Sequence, residues 1–265
     1  MKVIKKNKEL KDYGFKENGT FYWWASWYAE ILGYSSLNSL KPSIRKAQNI
    51  CLKIGLPHEE NFIPSQNEKR KDIKLTKFAC FLIALQADDK KPIVKRARNY
   101  FLNQLEEVNF LLKDQEYIKR LSAREDMKNL NIELAKSARS AQVKDFRFFA
   151  NEGYIGLYNM TMAELRAYRG VDEKANLNDF MSLTELSANI FRITMTKERL
   201  KRLRNTNEEK AAREHWKIAS QIRSMVKENT GIYPEDLVLK KNIKLLQKRL
   251  KLAQVELNKV VDLLA

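Results

Sequence analysis

The chain has 265 residues, with 50 Lys and Arg against 33 Asp and Glu, so its formal net charge is +17. A surface this basic attracts polyanions, of which nucleic acid is the commonest partner. The hydrophobic fraction of 44% excludes a wholly disordered chain, and the scarcity of glycine (8) and proline (5) favours helices over a sandwich or barrel. Two cysteines and two histidines are too few for a zinc finger of ordinary spacing, so we expect no metal site and no cofactor.

The sequence of the N-terminal part predicts a basic arm over residues 1–17. A small domain of helices and strands is predicted over residues 18–112. Asn18-Gly19 is typical of a tight turn, and the aromatic, β-branched run 20–24 predicts a strand that pairs with the residues before the turn. A short helix is expected over 25–32. In chain order, further elements are a helix over 39–54, strands near 61–63 and 72–75, a helix over 76–86 and a long helix over 92–111. Cys51 and Cys80 lie in apolar helical runs and predict buried free thiols.

The sequence from residue 113 to residue 235 predicts helices. We expect residues 113–142 to form a charged, mostly solvated connecting helix and residues 143–235 to form a second, helical domain. Glycines between Asn151 and Gly156 predict a break in the first helix of that domain. Later helices are expected over 162–168, 182–203 and 207–229.

The terminal segment, 236–265, carries the clearest periodicity in the sequence. Apolar residues alternate spacings of four and three, as in an a/d heptad seam. The seam residues are Leu239, Ile243, Leu246, Leu250, Ala253, Leu257, Val260 and Leu264. Two interpretations stay open: a helix packed on its own domain, or a coiled coil that joins two chains into a homodimer. The predicted fold is therefore an α+β N-terminal domain followed by a mainly α-helical C-terminal domain that ends in a heptad helix, mostly α overall.

No catalytic constellation is evident. His58 and His215 are far apart in sequence, and neither has a nucleophile motif nearby. The phosphate-loop pattern is absent, and the carboxylate pairs stand at ordinary cap or helix-surface positions. We therefore expect no enzymatic activity, with a nuclease as the weakest alternative because clustered acids for Mg²⁺ are not evident.

Basic residues, in contrast, are clustered. The stretch 192–265 holds 18 basic and nine acidic residues, so more than half of the net charge lies there. Candidate DNA-binding residues are Lys41, Arg45, Lys69, Arg70, Lys71, Lys90, Lys91, Lys95, Arg98, Lys201, Arg202, Arg204, Lys244 and Lys248. Such contacts to phosphate would supply affinity without choosing a sequence.

Two further features concern DNA. The short helix 25–32, Gly33-Tyr34 and the helix 39–54 have the spacing of a helix-turn-helix, with a simple αα-corner as the alternative. The aromatic group between Phe21 and Tyr28 could stack on unpaired bases, although we expect about half of it to be core.

Several ordered blocks resemble known families. Residues 24–25, 31–35, 75–84 and 88–94 are similar to the Bro-N domain of phage and baculovirus proteins. Residues 145–158, 181–192 and 211–234 resemble the DNA-damage-inducible protein D family. The resemblance implies a bacterial, non-enzymatic protein of the SOS response that binds DNA and modulates recombination, with a RecA-type recombinase as a possible partner.

Alternatives from other functional classes are a transcriptional regulator or antirepressor that reads duplex DNA, and a protein–protein adaptor in phage-related or defence functions. The DNA form, single-stranded or duplex, is left open. The lack of a long apolar segment and of a secretory signal predicts no membrane contact and a cytoplasmic, nucleoid-associated location.

Overall fold

The structure is a computed structural model that describes residues 13–65, 71–112, 116–203 and 207–259. The chain divides into two compact units. Unit 1 combines residues 1–114 with residues 245–265, and unit 2 spans residues 115–244. Unit 1 holds a small sheet with helices and unit 2 is helical, so the predicted fold class is confirmed.

The sheet of unit 1 has four strands in the order β1-β2-β4-β3, and all neighbours are antiparallel. The strands are β1 (Phe15–Glu17), β2 (Thr20–Trp24), β3 (Phe62–Pro64) and β4 (Ile73–Thr76). The predicted hairpin is confirmed: Asn18 and Gly19 join β1 to β2 with φ angles of 50° and 80°. One face of the sheet, with Trp23, Phe62 and Leu75, is buried.

In the part of unit 1 that the structure describes, six helices accompany this sheet. They are α1 (Ala25–Ile31), α2 (Leu37–Lys53), α3 (Lys77–Gln86), α4 (Pro92–Leu102), α5 (Glu106–Leu112) and, from the end of the chain, α11 (Ile243–Lys259). Helix α2 begins two residues before the predicted start because Ser36 caps it, and Ser36 and Ser39 form a capping box. The long helix predicted over 92–111 is divided into α4 and α5, with Leu105 buried between them.

Helix α3 is the centre of unit 1. Every residue from Lys77 to Ala84 is buried, and the Thr76 hydroxyl caps the helix by accepting a hydrogen bond from the Ala79 N–H. Burial lowers the pKa of Lys77, whose Nζ donates to Gln104 Oε1 at 2.7 Å. Cys51 and Cys80 are buried free thiols, as predicted.

The heptad seam of α11 is buried within a single chain. Leu246, Leu250 and Ala253 have no exposed surface, and Ile243 and Leu257 are 1% exposed. The helix is fixed at both ends: Gln247 Nε2 donates to the Lys53 carbonyl at 3.3 Å, and Asn258 Oδ1 accepts from the Phe78 N–H at 3.4 Å. These contacts favour the interpretation of a helix packed on its own domain. The described seam residues are covered by their own chain, so they are corrected from oligomerisation residues to core residues.

The seam is also shorter than predicted. Leu239 precedes α11 and packs against the core of unit 2, and Val260 and Leu264 lie outside the described residues. A homodimer stays a prediction, and it has to use another surface or release α11 from unit 1.

The described residues of unit 2 form five α-helices. They are α6 (Glu116–Ser140), α7 (Phe146–Tyr158), α8 (Met162–Tyr168), α9 (Leu183–Arg202) and α10 (Glu208–Thr230). Short 3₁₀ turns stand at Leu177–Asp179 and Pro234–Asp236. Four of these helices begin at a side chain that accepts hydrogen bonds from backbone N–H groups. The capping residues of α7, α8, α9 and α10 are, in that order, Asp145, Thr161, Ser182 and Asn207.

The predicted break between Asn151 and Gly156 is wrong, because α7 runs through it. A β-carbon on Gly156 would lie 2.5 Å from the Trp216 carbonyl oxygen and 2.7 Å from Ala219 Cβ. One on Gly153 would lie 2.1 Å from an Arg192 guanidinium nitrogen and 2.3 Å from His215 Nε2. The glycines therefore allow α7 to approach α10 closely, and this need outweighs their low helix propensity.

Helix α6 was expected to be mostly solvated, and this expectation is wrong. It packs along α9 and buries Tyr117, Leu121, Met127 and Leu134. Arg120 is also fully buried, and its guanidinium donates to the carbonyls of Met181 (2.7 Å), Asp179 (3.2 Å) and Lys241 (3.1 Å). Because these partners are backbone groups, the pattern of charged residues along the chain did not indicate them.

A second set of buried polar side chains, Asn189, Arg192 and His215, forms hydrogen bonds in the core of unit 2. His215 Nδ1 donates to the Phe149 carbonyl at 3.0 Å, so Nε2 accepts from Arg192 at 2.6 Å. Arg192 also donates to Asn189 Oδ1 at 3.0 Å. Burial, and then the Arg192 charge, hold the pKa of His215 well below its usual value of 6.5, although the bond to Phe149 acts in the opposite direction. His215 is therefore a neutral structural residue.

We expect Leu250→Ala to destabilise unit 1 by about 2–5 kcal/mol, because it leaves a cavity in a fully buried seam. Leu252→Ala is the matched control, since Leu252 lies on the same helix and is 42% exposed. Chemical denaturation followed by tryptophan fluorescence measures both variants. Equal stability of the two variants would show that α11 is not docked in solution.

We expect unit 2 to lose stability as the pH falls below about 6.5. In that range the unfolded chain protonates His215 and the folded chain does not, so the free energy of unfolding falls by about 1.4 kcal/mol per pH unit. Denaturation curves between pH 5 and 8, followed through the Trp216 indole, measure this slope. The slope should decrease in His215→Gln and persist in the control His58→Gln; an unchanged slope in His215→Gln would contradict the assignment.

Candidate nucleic-acid interface

Helix α2 is basic and carries no acidic residue. The acid-free stretch extends from Ile31 to His58 and includes Lys41, Arg45, Lys46 and Lys53. The apolar side chains of α2, such as Leu40, Ile44 and Ala47, face the core and leave the basic ones on the solvent side. A basic stripe on one face of a helix is the electrostatic footprint that phosphate backbones select.

Three cations of α2 are available to a ligand. Lys41, Arg45 and Lys46 are exposed, and within the described residues none of them forms an ion pair. Asn38, Ser39 and Asn49 are exposed on the same helix and add uncharged hydrogen-bonding groups. The α1–turn–α2 pair is present as predicted, and whether it reads duplex DNA as a helix-turn-helix stays a prediction.

Helix α11 adds basic residues near the C-terminal end of α2. Gln247 contacts the C-terminal end of α2, and the Nζ of Lys251 lies 3.5 Å from the position that a β-carbon on Gly55 would occupy. Lys248 stands three residues before Lys251, so both side chains lie on neighbouring positions of the helix, and both are exposed. We call Lys41, Arg45, Lys46, Lys248 and Lys251 the basic face of unit 1.

The candidates on α4 divide into two groups. Lys91 Nζ donates to the Gly33 carbonyl at 2.9 Å and lies over the Tyr34 ring, so it holds the turn before α2. Arg98 donates to the Ala84 carbonyl at 3.3 Å and caps the end of α3. Lys90 and Lys95 are exposed, and neither shows an ion pair in the described part of the chain. Lys91 and Arg98 are thus engaged in the fold, and Lys90 and Lys95 stay candidates.

The candidates of unit 2 are largely matched by carboxylates of the same unit. Lys201 Nζ lies 2.8 Å from Glu198, and its neighbour Arg199 lies 2.7 Å from Glu214. Lys244 Nζ lies 3.6 Å from Asp179. Arg202 is exposed and forms no ion pair within the described residues. The prediction placed more than half of the net charge in residues 192–265, which span the end of unit 2 and residues 245–265 of unit 1. Within the unit 2 part, several cations are paired with carboxylates.

The loop candidates are only partly described. Lys71 is exposed, whereas Lys69, Arg70 and Arg204 lie outside the described residues. Lys46 and Lys251 were not among the candidates. The acid-free stretch around α2 was the signal for Lys46, but the contact that brings Lys251 to Gly55 joins distant parts of the chain and left no local signal.

The aromatic group near the N-terminus is divided between core and surface. Trp23 and Tyr28 are buried, and Trp27 is 37% exposed. On the outer face of the sheet, the Phe15 and Trp24 rings stack with centroids 5.4 Å apart. Lys74, on the same face, is paired with Glu17 at 2.9 Å. The outer aromatics therefore pack mainly on one another.

The described residues include no group of three or more His, Cys, Asp or Glu placed to hold a metal ion. Among the helices of that part of the chain, none combines the length and the apolar character needed to cross a membrane.

Comparison with known proteins identifies the family of this chain. A family model described as the DinD C-terminal domain matches residues 112–246. The chain is also 31% identical over 240 residues to DNA damage-inducible protein D of Escherichia coli (strain K12), covering 83% of this chain and 87% of that protein. The chain belongs to the DNA damage-inducible protein D family. No solved structure gives a significant match.

Proposed function

We propose that this protein acts in the DNA-damage response by binding DNA through the basic face of unit 1, without catalysing a reaction. The family match supports the response, since the relative is named for its induction by DNA damage. The charge geometry supports the binding.

The observation that carries the proposal is the contrast between unpaired cations on α2 and α11 and three paired cations on α9. On α2 and α11, the exposed Lys41, Arg45, Lys46, Lys248 and Lys251 have no ion-pair partner among the described residues. On α9, each of Lys197, Arg199 and Lys201 is paired with a glutamate. A cation that is already paired releases less free energy when it meets a phosphate, so the basic face of unit 1 is the stronger DNA contact.

The DNA form is tested by a salt-titrated binding assay with single-stranded, duplex and branched DNA. Each phosphate contact to duplex DNA contributes about 0.9 to the slope of log K against log salt. We expect the triple variant Lys41→Gln, Arg45→Gln, Lys46→Gln to lower this slope by about 2–3, because three phosphate contacts are lost.

The matched control is Lys197→Gln, Arg199→Gln, Lys201→Gln, which removes the same charge from ion-paired positions. Its slope should stay within about 1 of the parent value. An equal loss in the two triple variants would show that net charge alone governs binding, and no binding to any DNA at low salt would sink the proposal in favour of an adaptor.

The transcriptional regulator is the second candidate, favoured by the exposed polar start of α2 next to α1. It predicts a strong preference for one duplex sequence over random sequence, whereas the first proposal predicts little. Replacing Asn38 and Ser39 with alanine should then relax sequence preference with little change in the salt slope.

We also propose that the protein modulates recombination, with a RecA-type recombinase as a partner, on the basis of the family resemblance. Co-sedimentation with recombinase filaments on single-stranded DNA tests this partner. The triple variant on α2 separates the two contributions: retention on filaments with loss on bare DNA shows a direct contact with recombinase, and equal loss on both shows that DNA alone recruits the protein.

A further inference from the structure

A groove of about 320 Å³ lies along the solvent side of the α7–α10 packing in unit 2. Phe148 and Glu152, one helical turn apart, line it from α7. The lining residues from α10 are Glu209, Ala212, Arg213 and Trp216. These positions repeat at spacings of three and four, so they share one side of α10.

The groove has aromatic walls that are half open to solvent. Phe148 is 43% exposed and Trp216 is 42% exposed, and Ala212 at the base is 2% exposed. Aromatic side chains are enriched where proteins bind one another, because they bury much area at low entropic cost.

The position of these walls is fixed by the backbone. Gly156 brings α7 close to α10, since a β-carbon there would lie 2.5 Å from the Trp216 carbonyl oxygen and 3.2 Å from the Ser220 nitrogen. Asp145 caps α7 through the N–H groups of Arg147 and Phe148, at 2.8 Å and 3.1 Å. The groove is therefore a preformed feature of two packed helices.

The charge of the groove is opposite to that of the chain. Glu152 and Glu209 flank the aromatic walls, and within the described residues neither carboxylate forms an ion pair. A neighbouring depression, lined by Phe148 and Glu209 as well, adds Asp145 and Glu208. Lys144 and Arg213 are the basic residues lining these two depressions, so carboxylates outnumber cations at this surface of a chain whose net charge is +17.

The combination of aromatic walls and unpaired carboxylates favours a cationic ligand over an anionic one. Phosphate is repelled by the two unpaired glutamates, whereas a guanidinium or ammonium group gains both the aromatic face and the carboxylate. Arginine fits best, because its planar group stacks on an aromatic ring while its N–H groups bond a carboxylate. The apolar walls favour a side chain carried by a protein segment over a free cation.

We propose that the α7–α10 groove is a docking site for a protein segment that inserts an arginine or lysine side chain between Phe148 and Trp216, against Glu152 and Glu209. The site is distinct from the basic face of unit 1 in charge and in partner. It holds one segment of a partner protein, and neither DNA nor a second copy of this chain.

The chain offers a direct readout. Trp216 is the single tryptophan between residues 115 and 244, and Trp23, Trp24 and Trp27 all precede residue 115 and serve as internal references. The probe is acetyl-Leu-Arg-Leu-amide, titrated into the ¹⁵N-labelled full-length protein, with the indole N–H resonances observed. The control probe is the same peptide with citrulline, which keeps the shape of arginine but carries no charge.

We expect the arginine peptide to move the Trp216 resonance in a saturable way and to leave the other three in place, with the citrulline peptide roughly tenfold weaker. Glu152→Gln with Glu209→Gln should weaken the arginine peptide by a similar factor. Glu198→Gln with Glu214→Gln removes the same charge from paired positions on α9 and α10 and should leave the affinity unchanged.

Equal binding of the two peptides, or no shift of Trp216, overturns the proposal, and both tests use the unmodified protein. A Trp216 shift produced by an oligonucleotide would assign the groove to DNA, and a shift produced by protein dilution alone would assign it to self-association. Either result would also overturn the proposal.

Discussion

The burial of the α11 seam in unit 1 is the contact on which the rest of that unit depends. It places residues from the end of the chain against α2 and at the first turn of α3, where Asn258 accepts the Phe78 N–H. The N-terminal unit is therefore complete only when the last helix is docked. Leu246, Leu250, Ala253 and Leu257 each lose almost all of their exposed surface in this contact.

The docking also brings α11 to the C-terminal end of α2. The Gln247 side chain donates to the Lys53 carbonyl, and the Lys251 Nζ lies 3.5 Å from the position that a β-carbon on Gly55 would occupy. Burying one leucine of the seam gains roughly 1.5–3 kcal/mol, and the negative end of the α2 dipole near Gly55 favours a cation there.

The sequence predicted most elements because local signals define them. Thr76, Ser182 and the Asn18-Gly19 turn act through neighbouring residues, and their positions were predicted correctly. The continuity of α7 was missed because Gly153 and Gly156 serve a contact with α10 that lies some 60 residues away in sequence. The heptad pattern of α11 was recognised, but periodicity alone does not state whether the apolar partner belongs to the same chain.

The candidate site also combines features that local sequence indicates with features that depend on long-range contacts. The basic character of α2 could be seen in the sequence, since a helix with four cations and no acid needs no tertiary information. The neutralisation of α9 could not, because Lys197 pairs with Glu133 and Arg199 pairs with Glu214, two residues on other helices. Counting charges along the chain therefore shows where basic residues cluster, but only the contacts of the folded chain show which of them are already paired.

The basic face of unit 1 and the α7–α10 groove differ in charge, and this difference separates their ligands. If the chain binds DNA as proposed, its net charge of +17 attracts nucleic acid by long-range electrostatics, and an aromatic groove with only basic neighbours would attract it as well. Unpaired carboxylates at Glu152 and Glu209 repel phosphate within a Debye length of about 8 Å and keep that face open. The cost is small, because exposed glutamates on a helix hardly affect stability. Specificity at the groove thus comes as much from the exclusion of DNA as from attraction of a cationic segment.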